Sequence, residues 1–589
     1  MMNGVYMIRV RDHKQDYLFD PWDYLGPKRR KLMDESWAGL FREHILTELP
    51  VDGLAQCFTP GFGRPSKELS AALGTLLLQQ AFDITEQEAL SQLSFNIQWH
   101  YALNIPDESD ETKYMSAKTL WKMRRLVIEN GLEDILFNQI TARLADLFSV
   151  DTSKQRLDSV HIRSNMKRLG RICLCVRGLH KFFVNLKRQY MNLFEALPKE
   201  MIDKYLSDKS LSCFSMVKPS ESERTLASVG KDLYDMTQQF QDHEKIKSMT
   251  SFRLLLRILE EQFILTKGTE GAPVELSMKP SKTVSSNSLQ NPSDPDATYS
   301  GHKGQGYHVQ VMETYCTVEN QKTKDRTLNL ITHIAVETAC VSDVHALVPA
   351  LESTKTRGLE PKEVLADSLY GSDENREAAG KMGVDVISPV MGVIKKESVH
   401  LSDFSFDDQG NVTRCPGDHV PAATRIKNKR HIAVFSHDHC GVCSLKASCP
   451  VVDGKKRRYL RYETKTWRVA VRRVYEDSDA FKEKYRWRSG IEATMSEYDK
   501  KTGVKRLRVR GLPAVRHCAV LKAVGINLFR ATAVRNAINT LRGTPGNGES
   551  LLDCVLLVVK ELLTIIREPL AWFSPFPPRN NDYIYEIAA

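Results

Sequence analysis

The chain has 589 residues and a formal net charge of +10, and 42% of its residues are hydrophobic and 26% charged. These ordinary globular values exclude wholesale disorder, and the length predicts about three to five domains of roughly 100–200 residues each. We expect no membrane span, because the best candidate, Leu551 to Trp572, is interrupted by charged residues. The N-terminus lacks the apolar segment of an export signal, which predicts a cytoplasmic protein with reduced thiols.

Residues 1–150 are predicted to form a helical domain. The leucines from Leu69 to Leu77 have helical spacing, and Thr85 and Glu88 have the spacing of a capping box. Two helices joined at residues 83–84 are also typical of a helix-turn-helix, which would give this domain a role in DNA binding. A helical bundle is the favoured interpretation.

An α/β core is predicted over residues 151–165 and 297–396, because strands that alternate with helices after an initial hairpin are typical of that class. The predicted strands are 155–163, 307–317, 328–338, 362–366 and 384–388, and the predicted helices are 344–352 and 373–381. Residues 166–296 interrupt this core as a helical insertion that ends in a Ser-, Pro- and Asn-rich linker over 278–296.

Three acidic residues of the chain lie in separate predicted elements. Asp158 is inside the first strand, Asp367 follows the strand at 362–366, and Glu492 is in a predicted helix over 480–500. A carboxylate at a strand end faces the crevice where α/β sheets bind ligands. Two or three such carboxylates are able to hold two Mg²⁺ ions about 3.5–4 Å apart. A fortuitous set among 73 acidic residues is the simpler interpretation.

The helix that carries Glu492 has a second feature. Tyr485, Arg488 and Glu492 are spaced by three and four residues, so one continuous helix would present them on one face. An Arg one turn from a carboxylate and beside an aromatic ring suits a phosphate close to a metal ion. A surface ion pair between Arg488 and Glu492 is the alternative.

Four of the twelve cysteines cluster in residues 397–455, a loop-rich region that we predict to be a small zinc-binding insertion. The four residues are Cys415, Cys440, Cys443 and Cys449. Their Cys-x2-Cys spacing suits a tetrahedral structural Zn²⁺. Alternative ligands are the neighbouring histidines His419, His431, His437 and His439. Unpaired loop cysteines are the simplest interpretation.

Positive charge is concentrated in one stretch. Between Lys455 and Arg516 there are 20 Lys or Arg residues against 8 Asp or Glu residues, an excess that is larger than the net charge of the whole chain. The stretch begins with Lys455, Lys456, Arg457 and Arg458 and is interleaved with aromatic residues. Such cations neutralise phosphates and such rings stack on bases, whereas a charge run by itself is more often a solvated face. The position of this stretch immediately before the Glu492 helix favours contact with nucleic acid.

The three acids lie in the blocks LDSVHIRSNM (157–166), LADSLYGSDEN (365–375) and YRWRSGIEATMSEYDKK (485–501). These blocks resemble the catalytic blocks of bacterial insertion-sequence DDE transposases, particularly the IS-eleven-eighty-two branch of the IS-four/IS-five group. The third block of that group reads Tyr, two residues, Arg, three residues, Glu, six residues, Lys. Position 499 is Asp here, and Lys500 follows one residue late, rotated by about 80° around the helix from Glu492.

The resemblance implies an RNase H-like core with two insertions, since 209 residues separate Asp158 from Asp367 and 125 separate Asp367 from Glu492. It implies that these acids hold Mg²⁺ or Mn²⁺. The residues that it implies on the DNA are Tyr485, Arg488 and Lys500.

The implied activity is cleavage of double-stranded DNA and strand transfer at terminal inverted repeats, in a homodimeric synaptic complex. The basic segment with the Glu492 helix spans 456–535 and includes a predicted helix at 515–535. A C-terminal helical tail over 536–589, with a predicted helix at 549–567, follows it. Two alternatives stay open. One is a decayed or repurposed transposase that only binds DNA, and the other is a metal-dependent nuclease of the same fold.

Overall fold

The computed structural model describes residues 8–15, 18–59, 65–207, 216–266, 275–392, 397–428 and 430–543. Contacts between residues divide the chain into a unit of residues 1–532 and a second of residues 533–589. The second unit is described only where the last helix ends, and the helix predicted at 549–567 lies outside the described residues.

The N-terminal region is helical, as predicted. Its helices are α1 Gly26–Glu35, α2 Trp37–Leu40, α3 Val51–Ala55, α4 Leu69–Ala81, α5 Glu86–Phe95, α6 Ile97–Ala102, α7 Asp110–Lys113, α8 Ala117–Glu129 and α9 Leu132–Leu147. Every residue of α4 is buried, which makes it the central helix of this region. The capping box of Thr85 and Glu88 is present at the start of α5. The turn before it is fixed by Asp83, which accepts a hydrogen bond from the buried Lys522 at 2.8 Å.

A six-stranded sheet forms the core. Its strands are β1 Lys154–Arg163, β4 Thr298–Ser300, β5 Gly304–Thr314, β6 Ile331–Thr338, β7 Glu363–Ala366 and β8 Asp385–Ile387. The strand order is β4-β5-β1-β7-β8, with β6 also paired to β5. The pairs of β5 with β1, β4 and β6 are antiparallel, whereas β1, β7 and β8 run parallel. The predicted hairpin of β5 and β6 is confirmed.

Helices cover this sheet. They are α17 Leu347–Lys355 and α18 Asp373–Lys381, which are numbered in chain order after the insertion helices given below. The exposed short helix α16 Gln321–Lys324 lies in the connection between β5 and β6. Apolar residues of β1, β7 and β8 pack with α17 and α18 into one core cluster that includes Leu157, Leu351, Val364 and Val386. The alternation of strands and helices predicted for this part of the chain is therefore confirmed.

The helical insertion between β1 and β4 has a hydrophobic core of its own. Its elements are α10 Arg171–Gln189, α11 Met191–Glu195, α12 Lys199–Leu206, α13 Ser222–Phe240, α14 Glu244–Lys247, α15 Thr250–Gln262, β2 Phe263–Thr266 and β3 Glu275–Met278. The expectation of an exposed linker over 278–296 is partly wrong. Leu289, Gln290, Asn291 and Asp294 are buried, because the segment packs on the insertion and its backbone hydrogen-bonds to Leu169.

The cysteine-rich insertion contains more strand than the sequence predicts. Its strands are β9 Ser405–Phe406, β10 Val412–Arg414, β11 Ala423–Lys427, β12 Arg430–Phe435, β13 Val452–Asp453 and β14 Arg458–Glu463, with the short helix α19 His437–Gly441. The larger sheet has the order β11-β12-β14-β13. Because β14 belongs to this sheet, the insertion continues to Glu463, beyond the predicted boundary at residue 455.

The predicted helix over 480–500 is interrupted. The observed elements are α20 Thr464–Glu476, α21 Asp479–Tyr485, a 3₁₀ turn Arg486–Ser489, α22 Gly490–Thr502 and α23 Leu512–Gly543. Among the described helices, one stretch, Leu512–Thr540, has the length and apolar composition of a membrane span, but 72% of its most apolar window is buried inside the protein. That burial is typical of a core helix.

Candidate active site

Asp158 and Asp367 lie side by side on neighbouring parallel strands. Leu157 of β1 pairs with Ala366 of β7, and each acid is the next residue after its member of this pair. Each carboxylate accepts a hydrogen bond from the backbone N–H of the residue after it, at 2.8 Å for Asp158 and 2.6 Å for Asp367. The parallel register thus places two oxygen-rich groups side by side at the carboxyl end of β7.

Glu492 joins this pair through an arginine. The Arg488 guanidinium donates hydrogen bonds to Asp158 at 2.7 Å and to Glu492 at 3.0 Å. The Glu492 side chain is 68% exposed and lies in the first turn of α22. Burial raises the pKa of Asp158, Arg488 opposes that rise, and the nearby Asp367 adds to it. The site therefore holds one cation between two of its three predicted acids.

Tyr485 lies against the same acids. Its ring stacks on Phe481, with ring centroids 5.2 Å apart. Burial raises the pKa of the Tyr485 hydroxyl to about 12, with Arg488 opposing the rise and the carboxylates of Asp367 and Asp158 adding to it. The hydroxyl is thus a neutral hydrogen-bond donor beside two carboxylates. The 3₁₀ turn, rather than one continuous helix, positions Tyr485 and Arg488 relative to Glu492.

Lys500 does not join the acids within the described structure. It is exposed near the end of α22, eight residues after Glu492 and so about 12 Å along the helix axis. Asp499, at the family's Lys position, accepts a hydrogen bond from the backbone N–H of Lys505 at 3.2 Å and pairs with its side chain at 3.5 Å. This contact fixes the turn after α22.

A buried charge network lies beneath the acids and was not predicted from the sequence. Glu313 of β5 is fully buried and accepts a hydrogen bond from Arg156 of β1 at 2.7 Å and from Arg530 at 2.9 Å. The Thr494 hydroxyl of α22 donates to the same carboxylate at 2.8 Å. Since Arg156 and Thr494 are two residues from Asp158 and Glu492 respectively, the network ties together the elements that carry both acids.

The start of α22 requires a glycine. A Cβ atom at Gly490 would lie 2.0 Å from a guanidinium nitrogen of Arg156. That nitrogen donates a hydrogen bond of 2.9 Å to the carbonyl of Trp487. The network therefore also fixes the 3₁₀ turn. No sequence signal singled this network out, because the strands of Arg156 and Glu313 contain several other polar residues.

Many cations of the basic stretch are paired with acids of the core rather than free. The pairs are Lys465 with Glu374, Arg468 with Asp373 and Glu377, Lys484 with Glu363, and Arg486 with Glu319. These contacts hold α20, α21 and the 3₁₀ turn against the sheet. Part of the positive charge that was predicted to contact DNA therefore stabilises the fold.

The four predicted DNA contacts at the start of that stretch differ from one another. Lys455, Lys456 and Arg457 are exposed, whereas Arg458 is only 5% exposed. The guanidinium of Arg458 pairs with Asp453 and donates a hydrogen bond of 2.9 Å to the carbonyl of Cys440. Arg458 thus packs inside the cysteine-rich insertion, and the first three residues form its exposed basic loop.

The four predicted zinc ligands line one cavity of about 120 Å³ together with His419 and Arg458. The backbone N–H of His419 donates to the Cys415 sulfur at 3.4 Å. Burial raises the pKa of the Cys440 and Cys449 thiols, and the neighbouring cysteines contribute to that rise. Over the described ranges, however, no three or more His, Cys, Asp or Glu side chains are arranged to hold a metal ion. The thiols share a cavity without converging on one point, so the zinc prediction gains no support from this geometry.

The carboxylates suit a divalent cation in their chemistry. Asp158 and Asp367 offer hard oxygen atoms on adjacent strands, and Mg²⁺ is commonly held by one or two carboxylates together with water and phosphate. Glu492 is tied to the pair only through Arg488. The donor set therefore fits a magnesium-type ion at the two aspartates.

Comparison with family models gives two matches. Residues 415–532 match a model described as a transposase DDE domain, and residues 41–126 match a transposase domain, DUF772. The first match contains Glu492 and the four clustered cysteines, whereas Asp158 and Asp367 lie outside it. No curated protein and no solved structure matches significantly. The two matches support an insertion-sequence DDE transposase, a family whose members use divalent metals.

Proposed function

We propose that the protein is the DNA transposase of an insertion sequence, and that Asp158, Asp367 and Glu492 are its metal-binding acids. The observation that carries this proposal is the position of Asp158 and Asp367 on paired parallel strands, with Glu492 linked to Asp158 through Arg488. Two acids that are distant in the sequence thus lie on neighbouring strands, and Arg488 links one of them to the third. The transposase-domain matches in two other parts of the chain support the same conclusion.

The strand order supports an RNase H-like core. In the described sheet the antiparallel strands β6 and β5 are followed by β1, β7 and β8, which are parallel to one another. The first acid is on the central strand and the second follows its parallel neighbour, as the resemblance implies. The third is on a helix that packs against β1 through the Glu313 network.

The carboxylates of Asp158 and Asp367 would hold the Mg²⁺ or Mn²⁺ ion, and Glu492 would complete the set once Arg488 turns away. Such an ion, when bound, lowers the pKa of attacking water and stabilises the negative charge that develops at phosphorus and on the leaving oxygen. The protein contributes position, because β1 and β7 fix the two aspartates by their register.

Arg488 and Tyr485 supply positive charge and a neutral donor beside the acids. A guanidinium forms two parallel hydrogen bonds to phosphate oxygens as readily as to carboxylates. Arg488 would therefore exchange its carboxylate partners for the scissile phosphate when DNA binds. The Tyr485 hydroxyl, with its raised pKa, would donate to the same phosphodiester. Lys500, exposed near the end of α22, would contact DNA away from the acids.

The proposed substrate is double-stranded DNA with the terminal inverted repeats of the element, and a homodimer would bring its two ends together. The proposed location is cytoplasmic. We further propose that Cys415, Cys440, Cys443 and Cys449 bind a structural Zn²⁺. Their Cys-x2-Cys spacing in the sequence supports this proposal.

Incubation of the purified full chain with element-end DNA and Mg²⁺ tests the function. We expect nicks at the element ends, their loss in EDTA, and joining of the ends to a target plasmid. Cleavage without joining would indicate that the protein is a nuclease rather than a transposase. Sequence-specific binding without cleavage would assign a repurposed DNA-binding protein, an outcome that Asp499 at the family's Lys position favours.

A further inference from the structure

A second basic surface lies beyond the end of β1. The strand ends at Arg163, and the backbone N–H of Arg163 donates a hydrogen bond of 3.0 Å to the carbonyl of Lys505. The segment after α22 is therefore attached to the strand that carries Asp158. Five residues of extended chain separate Asp158 from Arg163, a distance of about 17 Å.

The attached segment carries three arginines that are exposed to solvent. Leu507 is buried, whereas Arg506, Arg508 and Arg510 are exposed at alternate positions. Of these three, Arg508 pairs with Asp83 at 3.3 Å. All three arginine side chains are therefore accessible to a partner from solvent.

The backbone of this segment is held at both ends by acids. Asp499 accepts the N–H of Lys505 at 3.2 Å, and Asp294 accepts the N–H of Gly511 at 3.0 Å. These carboxylates bind main-chain groups, so they fix the position of the segment while its exposed guanidinium groups stay directed to solvent.

The loop after β1 continues the surface. Lys167 and Arg168 are exposed, and Arg510 donates a hydrogen bond of 3.0 Å to the side chain of Asn165. Burial lowers the pKa of Lys181 on α10, and the positive charge of Arg510 lowers it further. The loop, α10 and the segment thus bring like charges together, an arrangement that an anionic partner would relieve.

Acids are absent from both stretches of sequence that build this surface. Eight Lys or Arg residues and no Asp or Glu lie between Asp158 and Glu195, and the range from Lys500 to Arg516 contains seven Lys or Arg and no acid. Four cations of the second range still pair with acids outside it, namely Lys501 with Glu497, Lys505 with Asp499, Arg508 with Asp83 and Arg516 with Asp134. Lys500, Arg506 and Arg510 have no ion pair with any residue that the structure describes.

Three cations of the surface are also unpaired. Within the described part of the chain, the side chains of Arg163, Lys167 and Arg506 make no hydrogen bond or ion pair. Exposed and fixed cations without counter-charges are the groups that release counterions from DNA when they contact phosphate.

We propose that Arg163, Lys167, Arg168, Arg506 and Arg510, here named the β1 tract, bind the phosphate backbone of double-stranded DNA on its way to the acids. The proposal rests on the proposed function, because the acids on β1 would act on the same duplex. The duplex would lie along the end of β1 and the adjoining loop of the helical insertion. Phosphate contacts of this kind position a duplex without reading its sequence.

The test compares two triple variants of the full chain. Arg163→Ala/Lys167→Ala/Arg506→Ala removes three tract charges, and Lys231→Ala/Lys245→Ala/Lys247→Ala removes three exposed charges from the helical insertion. The dissociation constant for a random-sequence duplex is measured against salt concentration. If all three tract residues touch phosphate, the slope of log affinity against log salt becomes shallower by about 2.7 units, while the control keeps the wild-type slope.

An unchanged slope in the tract variant would overturn the proposal, as would an equal change in the control. Glutamine replacements at the same three positions repeat the test if the alanine variant loses its native circular dichroism spectrum. A wild-type protein that fails to cleave element ends would refute the proposed function, whereas the salt slopes would still decide whether the tract binds DNA.

Discussion

The guanidinium of Arg488 donates a hydrogen bond of 2.7 Å to the carboxylate of Asp158, although the two residues are 330 positions apart in the sequence. The same group donates to Glu492, so it occupies the position between two acids where a cation is needed. Two carboxylates that approach each other repel unless a positive charge lies between them. Arg488 therefore offsets the repulsion between Asp158 and Glu492.

We expect Arg488→Ala to reduce cleavage at least tenfold while DNA affinity changes by less than about threefold. The reason is that this variant loses the proposed contact of Arg488 with the scissile phosphate. Tenfold corresponds to about 1.4 kcal/mol in the barrier. Single-turnover cleavage and fluorescence anisotropy measure the two quantities. Arg486→Ala is the matched control, since Arg486 is two residues away and pairs only with exposed acids. Equal losses of binding and cleavage in Arg488→Ala would place its role in general DNA binding.

The acids themselves give the second prediction. Asp158→Asn, Asp367→Asn and Glu492→Gln each remove one charge with little change in volume, so cleavage should fall more than tenfold while duplex binding stays nearly unchanged. Ser368→Ala is a useful control, because its backbone N–H still donates to Asp367. A tenfold loss of cleavage rate corresponds to about 1.4 kcal/mol in the activation barrier. Any acid variant that retains more than about a tenth of wild-type cleavage would show that its residue is not a metal ligand.

Glu313 gives a prediction about stability as well as activity. Glu313→Gln leaves Arg156 and Arg530 without their buried counter-charge, and breaking such a pair typically costs about 3–5 kcal/mol of unfolding free energy. Urea denaturation measures this loss. Glu497→Gln is the control, because Glu497 pairs with Arg530 but is more exposed and should cost less.

Without denaturant, where the Glu313→Gln variant is folded, its cleavage rate should also fall. The reason is that Arg156 and Thr494 no longer share a carboxylate partner. Thr494→Val tests the same link with a smaller change. If both variants are folded and cleave at the wild-type rate, the network stabilises the fold without positioning the acids.

Much of the core was predictable from sequence, because its strands contain β-branched and aromatic residues and are bounded by turn residues. Asp158 and Asp367 were recognisable because each is a carboxylate at a predicted strand, within a block that resembles the catalytic blocks of the family. The break between Tyr485 and Glu492 was not predictable from helical spacing. It depends on the contact of Arg156 with the Trp487 carbonyl, which comes from another part of the chain.

Charge was the least reliable guide to the site. A run of cations looks alike in sequence whether its partners are phosphates or carboxylates. Only the tertiary structure shows that Lys484 pairs with Glu363 and that Arg458 points inward. The buried linker near Asn291 has the same origin, because polar residues that satisfy one another inside a fold resemble a loop in composition.

The cysteine cavity makes a prediction about metal content. Protein purified without chelator should contain about one Zn²⁺ per chain, and Cys440→Ser or Cys443→Ser should lose it. Structural zinc contributes directly to the folding of its domain, so residues 397–463 should become sensitive to protease without it. Cys57→Ser, at a cysteine outside the cluster, should keep its metal. Metal analysis that finds no zinc in the wild-type protein would refute this assignment.

The exposed basic loop and Arg458 should respond to mutation in opposite ways. Lys455→Ala/Lys456→Ala/Arg457→Ala removes exposed charges, so the salt slope of DNA binding should become shallower by roughly two to three units, while the thermal midpoint stays unchanged. The loss should be similar on element-end and random duplexes, because phosphate contacts carry no sequence information. Arg458→Ala should keep the slope and instead lower stability, since Asp453 and the Cys440 carbonyl lose their donor. Salt titrations and thermal unfolding on the same samples separate the two effects. An unchanged slope in the triple variant would mean that the loop faces solvent and that DNA follows the β1 tract alone.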